Sequence, residues 1–215
     1  MPSTRPSSLN APSTMGRREF TVLMSMTMAL TALSIDIMLP AFPLIRQSFG
    51  LDTTSTDVAG IITVFFVGLA VAQLFYGPLA DRFGRKPVLY GGYVVFLAGV
   101  TLSIIAPTLP WLLAARFLWG VGAAGARVIA LSIVRDQFEG EAMAKTMSFI
   151  MAIFIMVPVV APAIGAAIIA VAPWRTLFWF VGGFAGVVAL WARRLPETLK
   201  PEDRLELSFR RILDA

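Results

Sequence analysis

The 215-residue sequence contains no cysteine and no histidine. The first absence excludes disulfides and thiolate metal sites; the second excludes imidazole catalysis, imidazole ligation and a histidine proton relay. Charge is also scarce, with 14% Asp, Glu, Lys and Arg against 57% hydrophobic residues. Soluble domains carry about 45–50% apolar residues, so a soluble globular fold is excluded, and a mean hydropathy of +0.78 places the chain in a membrane. With no histidine there is no general base for a serine hydrolase. No span carries arginine at every third position, as a voltage sensor would, and no phosphate-cradling glycine loop is present. Any proton chemistry within the membrane falls to a carboxylate, and no cofactor is expected.

What the chain does have is repeated apolar runs long enough to cross a bilayer core of about 30 Å. Six helical spans are expected, at about 20–41, 58–80, 88–106, 111–134, 147–171 and 173–194. Pro40 and Pro43 end the first, and Pro158 and Pro162 break the fifth. Residues 1–18, rich in Ser, Pro and Thr, read as a disordered cytoplasmic tail ahead of a transmembrane bundle over 19–194. The polar stretch 195–215 reads as a cytoplasmic linker. Arg82, Arg85, Lys86, Arg135, Lys145, Arg193 and Arg194 then fall on one side with the N-terminal arginines, and Arg46 and Arg175 on the other, which makes the first side cytoplasmic. This sidedness accounts for the net charge of +5 without a nucleic-acid partner; the partner is the lipid bilayer.

Within the spans the ionisable acids and bases are Asp36, Arg116 and Arg127, each costing about 2.5–3.5 kcal/mol at mid-membrane on insertion scales. Asp36 precedes Pro43 by seven residues and Arg116 follows Pro110 by six, so each lies about 9–10 Å below the outer end of its helix. Opposite charges at one depth suggest a polar wall facing water or substrate; the alternative is a buried pair that only fixes helix packing. Arg127 lies nearer the cytoplasmic boundary, where it snorkels or lines the inner mouth of a cavity. Gly120, Gly122, Ala123, Ala124, Gly125 and Ala126 give the fourth span a small-residue surface for close helix packing. Gly77 shares a helix face with Asp81 one turn later, permitting close helix approach, and Gly84 and Pro87 bracket a tight turn.

The stretch Gly77-Pro78-Leu79-Ala80-Asp81-Arg82-Phe83-Gly84-Arg85-Lys86 closely resembles the signature loop between the second and third spans of the major facilitator superfamily of secondary transporters. Leu33-Ser34-Ile35-Asp36-Ile37-Met38-Leu39-Pro40, Arg116 followed by Gly120, Pro158 and Pro162 followed by Gly165, and Leu195-Pro196-Glu197-Thr198-Leu199 extend the resemblance across residues 30–200. They are most similar to the bicyclomycin/chloramphenicol-resistance (Bcr/CflA) drug:proton antiporters. The resemblance implies an all-α integral membrane fold, the N-terminal six-helix half of such a transporter, built as a 3+3 inverted repeat. It also implies a bacterial inner-membrane location and alternating-access efflux of small amphipathic drugs against protons.

On that resemblance Asp36 binds the proton and senses cationic drug, and Arg116 couples protonation to conformation. Gly77, Asp81, Arg82, Gly84, Arg85, Lys86, Asp136, Pro158, Pro162 and Gly165 serve gating, with Asp81 latching against the other half and Arg85 pairing with Asp136. The partner implied is a second six-helix half or a second copy of the chain. Two departures stand out: Trp119 occupies a position where glutamine is frequent, and Ala161 one where glycine is. The competing readings are a uniporter or importer of a polar metabolite on the same fold, and a non-transporting membrane scaffold.

Overall fold

The computed structural model describes residues 15–199 and 202. The tail expected over 1–18 therefore lies mostly outside the described residues, as does most of the linker beyond 199. Seven α-helices follow one another: α1 (Arg17–Asp36), α2 (Phe42–Ser48), α3 (Gly60–Phe83), α4 (Arg85–Ile104), α5 (Leu109–Gln137), α6 (Gly140–Ile169) and α7 (Thr176–Trp191). With α1 and α2 joined through a 3-10 turn, the described residues supply six segments long and apolar enough to cross a membrane.

The first span does not run intact to its prolines. α1 stops at Asp36, and a 3-10 turn over Leu39–Ala41 leads into α2. The cause is Pro40, whose ring clashes with the carbonyl four residues earlier, that of Asp36, and which offers no N–H. Asp36 thus sits at a helix break rather than two turns inside a helix. The fifth span corrects the expectation in the opposite sense. α6 is one helix through both Pro158 and Pro162, because each proline removes a single intrahelical bond while the surrounding turns keep theirs.

α5 is the axis of the bundle, packing against α3 and α4 along its length and against α1. Thr108 caps its start by accepting the Trp111 N–H, and Pro110 lies in its first turn. The small-residue surface does what its composition suggests. A Cβ at Gly120 would lie 2.1 Å from the Phe65 carbonyl of α3, and one at Gly122 would lie 2.2 Å from the Phe96 nitrogen of α4. α1 packs mainly on α6, then on α5 and α7. Outward-facing Phe66, Leu74 and Phe75 of α3 and Ile155, Met156 and Val159 of α6 remain exposed.

The hairpin topology sorts the connections to two ends. At one end Glu19 accepts from the Trp191 indole N–H and pairs with Arg194, both at close range (2.9 and 3.0 Å). At the other, Arg175 donates to the carbonyls of Ile104 and Ala106, and Arg46 donates to that of Ser55.

Candidate functional site

Arg116 is fully buried, with 0% of its surface exposed. Its Nη2 donates to the Ser34 carbonyl at 2.8 Å and its Nε to the Ile61 carbonyl at 3.4 Å, so one side chain ties α5 to α1 and α3. Ser34 belongs to the last turn of α1, where a helix leaves its carbonyls without intrahelical partners. The break caused by Pro40 therefore creates the acceptor that Arg116 takes. A cation at a helix C-terminus is stabilised by the macrodipole. Two rings complete its surroundings: the guanidinium carbon lies 4.4 Å from the Trp119 ring centroid and 4.7 Å from that of Phe65. Among the described residues neither Arg116 Nη1 nor Trp119 Nε1 has an acceptor.

Asp36 is half-buried, and among the described residues it forms no ion pair or hydrogen bond. The expected Asp36–Arg116 wall is therefore not what the structure holds. Part of the reason lies in helix geometry. Thr27, Thr31 and Ser34 share a face of α1 turned into the bundle: Thr27 bonds with the Tyr93 hydroxyl at 2.8 Å and Thr31 donates to the Ala123 carbonyl. Asp36 follows Ser34 by two residues and so points about 200° around the helix from it, away from the side on which Arg116 is bonded. The carboxylate lies toward open surface and the guanidinium in the core.

Gly165 of α6 sits against this break. A Cβ there would lie 2.1 Å from the Ile37 carbonyl oxygen and 3.1 Å from Pro40 Cγ. Pro158 and Pro162 lie on the same helix about two turns and one turn before it. Arg127 is partly buried on α5 with its guanidinium 5.7 Å from the Phe154 ring of α6; it is not part of the Asp36–Arg116 neighbourhood.

A second cluster occupies the end where α3 turns into α4. Gly84 alone separates the two helices, with φ +101°, a conformation that costs an L side chain heavily. Arg85 pairs with Asp81 one turn earlier and with Asp136 of α5 at 3.0 Å. Asp81 of α3 thus contacts the first residue of α4, while Gly77 approaches nothing: a Cβ there would meet no atom within 4 Å. The close approach expected at Gly77 is not made within this bundle. Arg82 is exposed and lies over the Phe83 ring, and Lys86 Nζ donates to the Arg193 carbonyl.

Sequence reasoning missed the group that ties this cluster together, the Glu197 carboxylate. It accepts the backbone N–H of Arg85 at 2.9 Å and of Lys86 at 3.1 Å, together with those of Thr198 and Leu199. The Thr198 hydroxyl donates to Asp136 at 3.0 Å. The segment after α7 thereby caps the N-terminus of α4, where unpaired amides and the helix dipole favour an anion. Trp119 and Phe65 were missed as well; Trp119 had shown itself only as an unusual residue after Arg116.

A six-span bundle with an unpartnered carboxylate at a helix break, and a buried arginine bonded to the last turn of the same helix, fits an integral membrane protein of the secondary-transporter type. Comparison with known proteins agrees: the model of the Major Facilitator Superfamily matches residues 24–213, and the chain belongs to that family of transporters. It is 36% identical over 156 residues to the multidrug resistance protein MdtL of Klebsiella pneumoniae (strain 342), covering 73% of this chain and 39% of that one. To the MFS-type transporter YdgK of Bacillus subtilis (strain 168) it is 35% identical over 205 residues, covering 94% and 50%. Among solved structures, the human organic anion transporter MFSD10 (TETRAN) superposes with a TM-score of 0.70 at 20% identity, over 95% of this chain and 53% of that one. The proton:xylose symporter XylE superposes with a TM-score of 0.75 at 15% identity, over 83% and 44%. The chain spans about half the length of the curated relatives it matches.

Proposed function

We propose that the chain is the six-helix half of a bacterial inner-membrane drug:proton antiporter of the Bcr/CflA type, with Asp36 as the group that exchanges proton for cargo. The observation that carries this reading is the half-buried carboxylate of Asp36, which has no ion-pair partner among the described residues. A membrane carboxylate is expensive unless it serves a pathway, and one lacking a fixed counter-ion can accept either a proton or a cationic drug, but not both. Opposing fluxes are then coupled by competition for one group. The similarity to multidrug resistance proteins supports amphipathic drugs as cargo.

Arg116 and Gly165 hold the broken end of α1 from two sides, so movement of α6 past Ile37 is transmitted to Asp36. The signature loop, with Asp81, Arg85, Asp136 and the Glu197 cap, serves as the inner-end latch. In the full transporter the bare faces of α3 and α6 would lie against a second six-helix body or lipid. The test uses vesicles from cells expressing the chain within its complete reading frame: ethidium extrusion driven by an imposed proton gradient is expected, and loss of more than nine-tenths of it in Asp36→Asn. Gradient-driven extrusion that survives Asp36→Asn overturns the assignment.

A further inference from the structure

Arg116 is a buried cation bonded to the carbonyl of Ser34, two residues before the Asp36 carboxylate, yet among the described residues the two charges do not pair. Attraction between opposite charges in a low-dielectric site is strong, so something holds the guanidinium elsewhere. The Ser34 carbonyl supplies one hydrogen bond. The Ile61 carbonyl supplies a longer second one at 3.4 Å, and the rings of Phe65 and Trp119 lie 4.7 and 4.4 Å from the guanidinium carbon, where a cation over a desolvated aromatic face is well stabilised. Trp119 is itself fixed, edge-on to Phe96 and Phe178 at 5.5 Å each and fully buried. The clamp is thus anchored on α4 and α7 as well as on α5.

We infer that Phe65 and Trp119 are positioning residues that clamp the Arg116 guanidinium on the open end of α1 and so keep the Asp36 carboxylate free for exchange. This rests on Asp36 being the exchanging group. The charged residues on the elements around α1 leave Arg116 as the relevant cation. Arg46 at the end of α2 and Arg175 before α7 are engaged by backbone carbonyls. Glu141 and Lys145 of α6 lie in its first turns, at the opposite end from Asp36. Arg127 of α5 is three turns further along from Arg116 and faces Phe154. Between Thr176 and Trp191, α7 carries no charge. With the clamp removed, Arg116 is released to pair with Asp36.

The test reads the carboxylate without requiring transport. Dicyclohexylcarbodiimide, which modifies protonated carboxyl groups in membranes, is applied to membrane-embedded protein over pH 5–9, and modification of Asp36 is quantified by mass spectrometry. Wild type and Trp119→Phe, which retains a ring, are expected to give the same profile. Trp119→Leu, and independently Phe65→Leu, are expected to lower modification at neutral pH at least fivefold and to displace the profile toward acid by about one unit. Removing the cation with Arg116→Met is expected to cancel the effect of Trp119→Leu, the non-additivity that a direct coupling requires. The inference is overturned if both leucine variants, shown folded by size-exclusion chromatography, keep the wild-type profile. It is also overturned if Trp119→Leu acts equally without Arg116, or if wild-type Asp36 resists modification at every pH. A protein that fails to transport ethidium but shows the clamp-dependent profile would sink the antiport reading alone.

Discussion

The sharpest structural commitment is Gly165. A Cβ built there lies 2.1 Å from the Ile37 carbonyl oxygen, whereas a carbon–oxygen approach needs about 3.3 Å. Gly165→Ala therefore asks α6 and the broken end of α1 to separate by about 1.2 Å. The obstructing atom is backbone, and Pro40 Cγ at 3.1 Å closes the other direction, so no side-chain rotation relieves the clash. Overpacking of this kind costs about 1–3 kcal/mol, and at about 2–4 °C per kcal/mol for a chain of this size the melting temperature in detergent should fall by about 2–12 °C. Gly77→Ala is the matched control, because a Cβ there meets nothing within 4 Å and alanine favours a helix. Thermal unfolding of the two variants beside wild type, followed by size-exclusion chromatography, decides the matter. Gly165→Ala melting at or above Gly77→Ala would refute the packing of α6 on the α1 break.

Three further outcomes follow from the same geometry. Arg116→Met keeps volume while removing a buried cation that has no carboxylate partner; its melting temperature should equal or exceed that of wild type, whereas ethidium extrusion falls at least tenfold. Glu197→Ala uncaps α4, so hydrogen exchange at the Arg85 and Lys86 amides should rise at least tenfold by mass spectrometry, with exchange in the middle of α5 unchanged. Arg85→Leu leaves Asp81 and Asp136 without the cation between them; the variant should lose stability, and Asp136→Asn added to it should restore part of the loss in the same melting assay.

The span count and the close packing on the small-residue surface of α5 were both legible, because hydropathy and small residues each act through one dominant force. The pairing of Arg85 with Asp136 was legible only through the resemblance. What escaped depended on where side chains point and on distant segments meeting. Asp36 and Arg116 share a depth, but depth says nothing about azimuth; the two-residue step from Ser34 to Asp36 held that information, and reading it requires knowing which face of α1 is buried. The break at Asp36 was readable from Pro40, whose ring addresses the carbonyl four residues back. Gly77 was read as a contact glycine, yet its neighbour is not within this bundle. Glu197 caps amides more than 100 residues earlier in the chain, a contact that no local pattern encodes.

The central claim is that one carboxylate holds either a proton or a cationic cargo. Its most direct test is proton release on binding: tetraphenylphosphonium added to purified protein of the complete reading frame in weakly buffered detergent solution, near the midpoint of the Asp36 titration, with pH followed by an indicator dye. The account predicts release of about half a proton per cation bound in wild type at the midpoint, rising toward one as the pH is lowered, and none in Asp36→Asn. Binding without release in wild type, or equal release from Asp36→Asn, would contradict it.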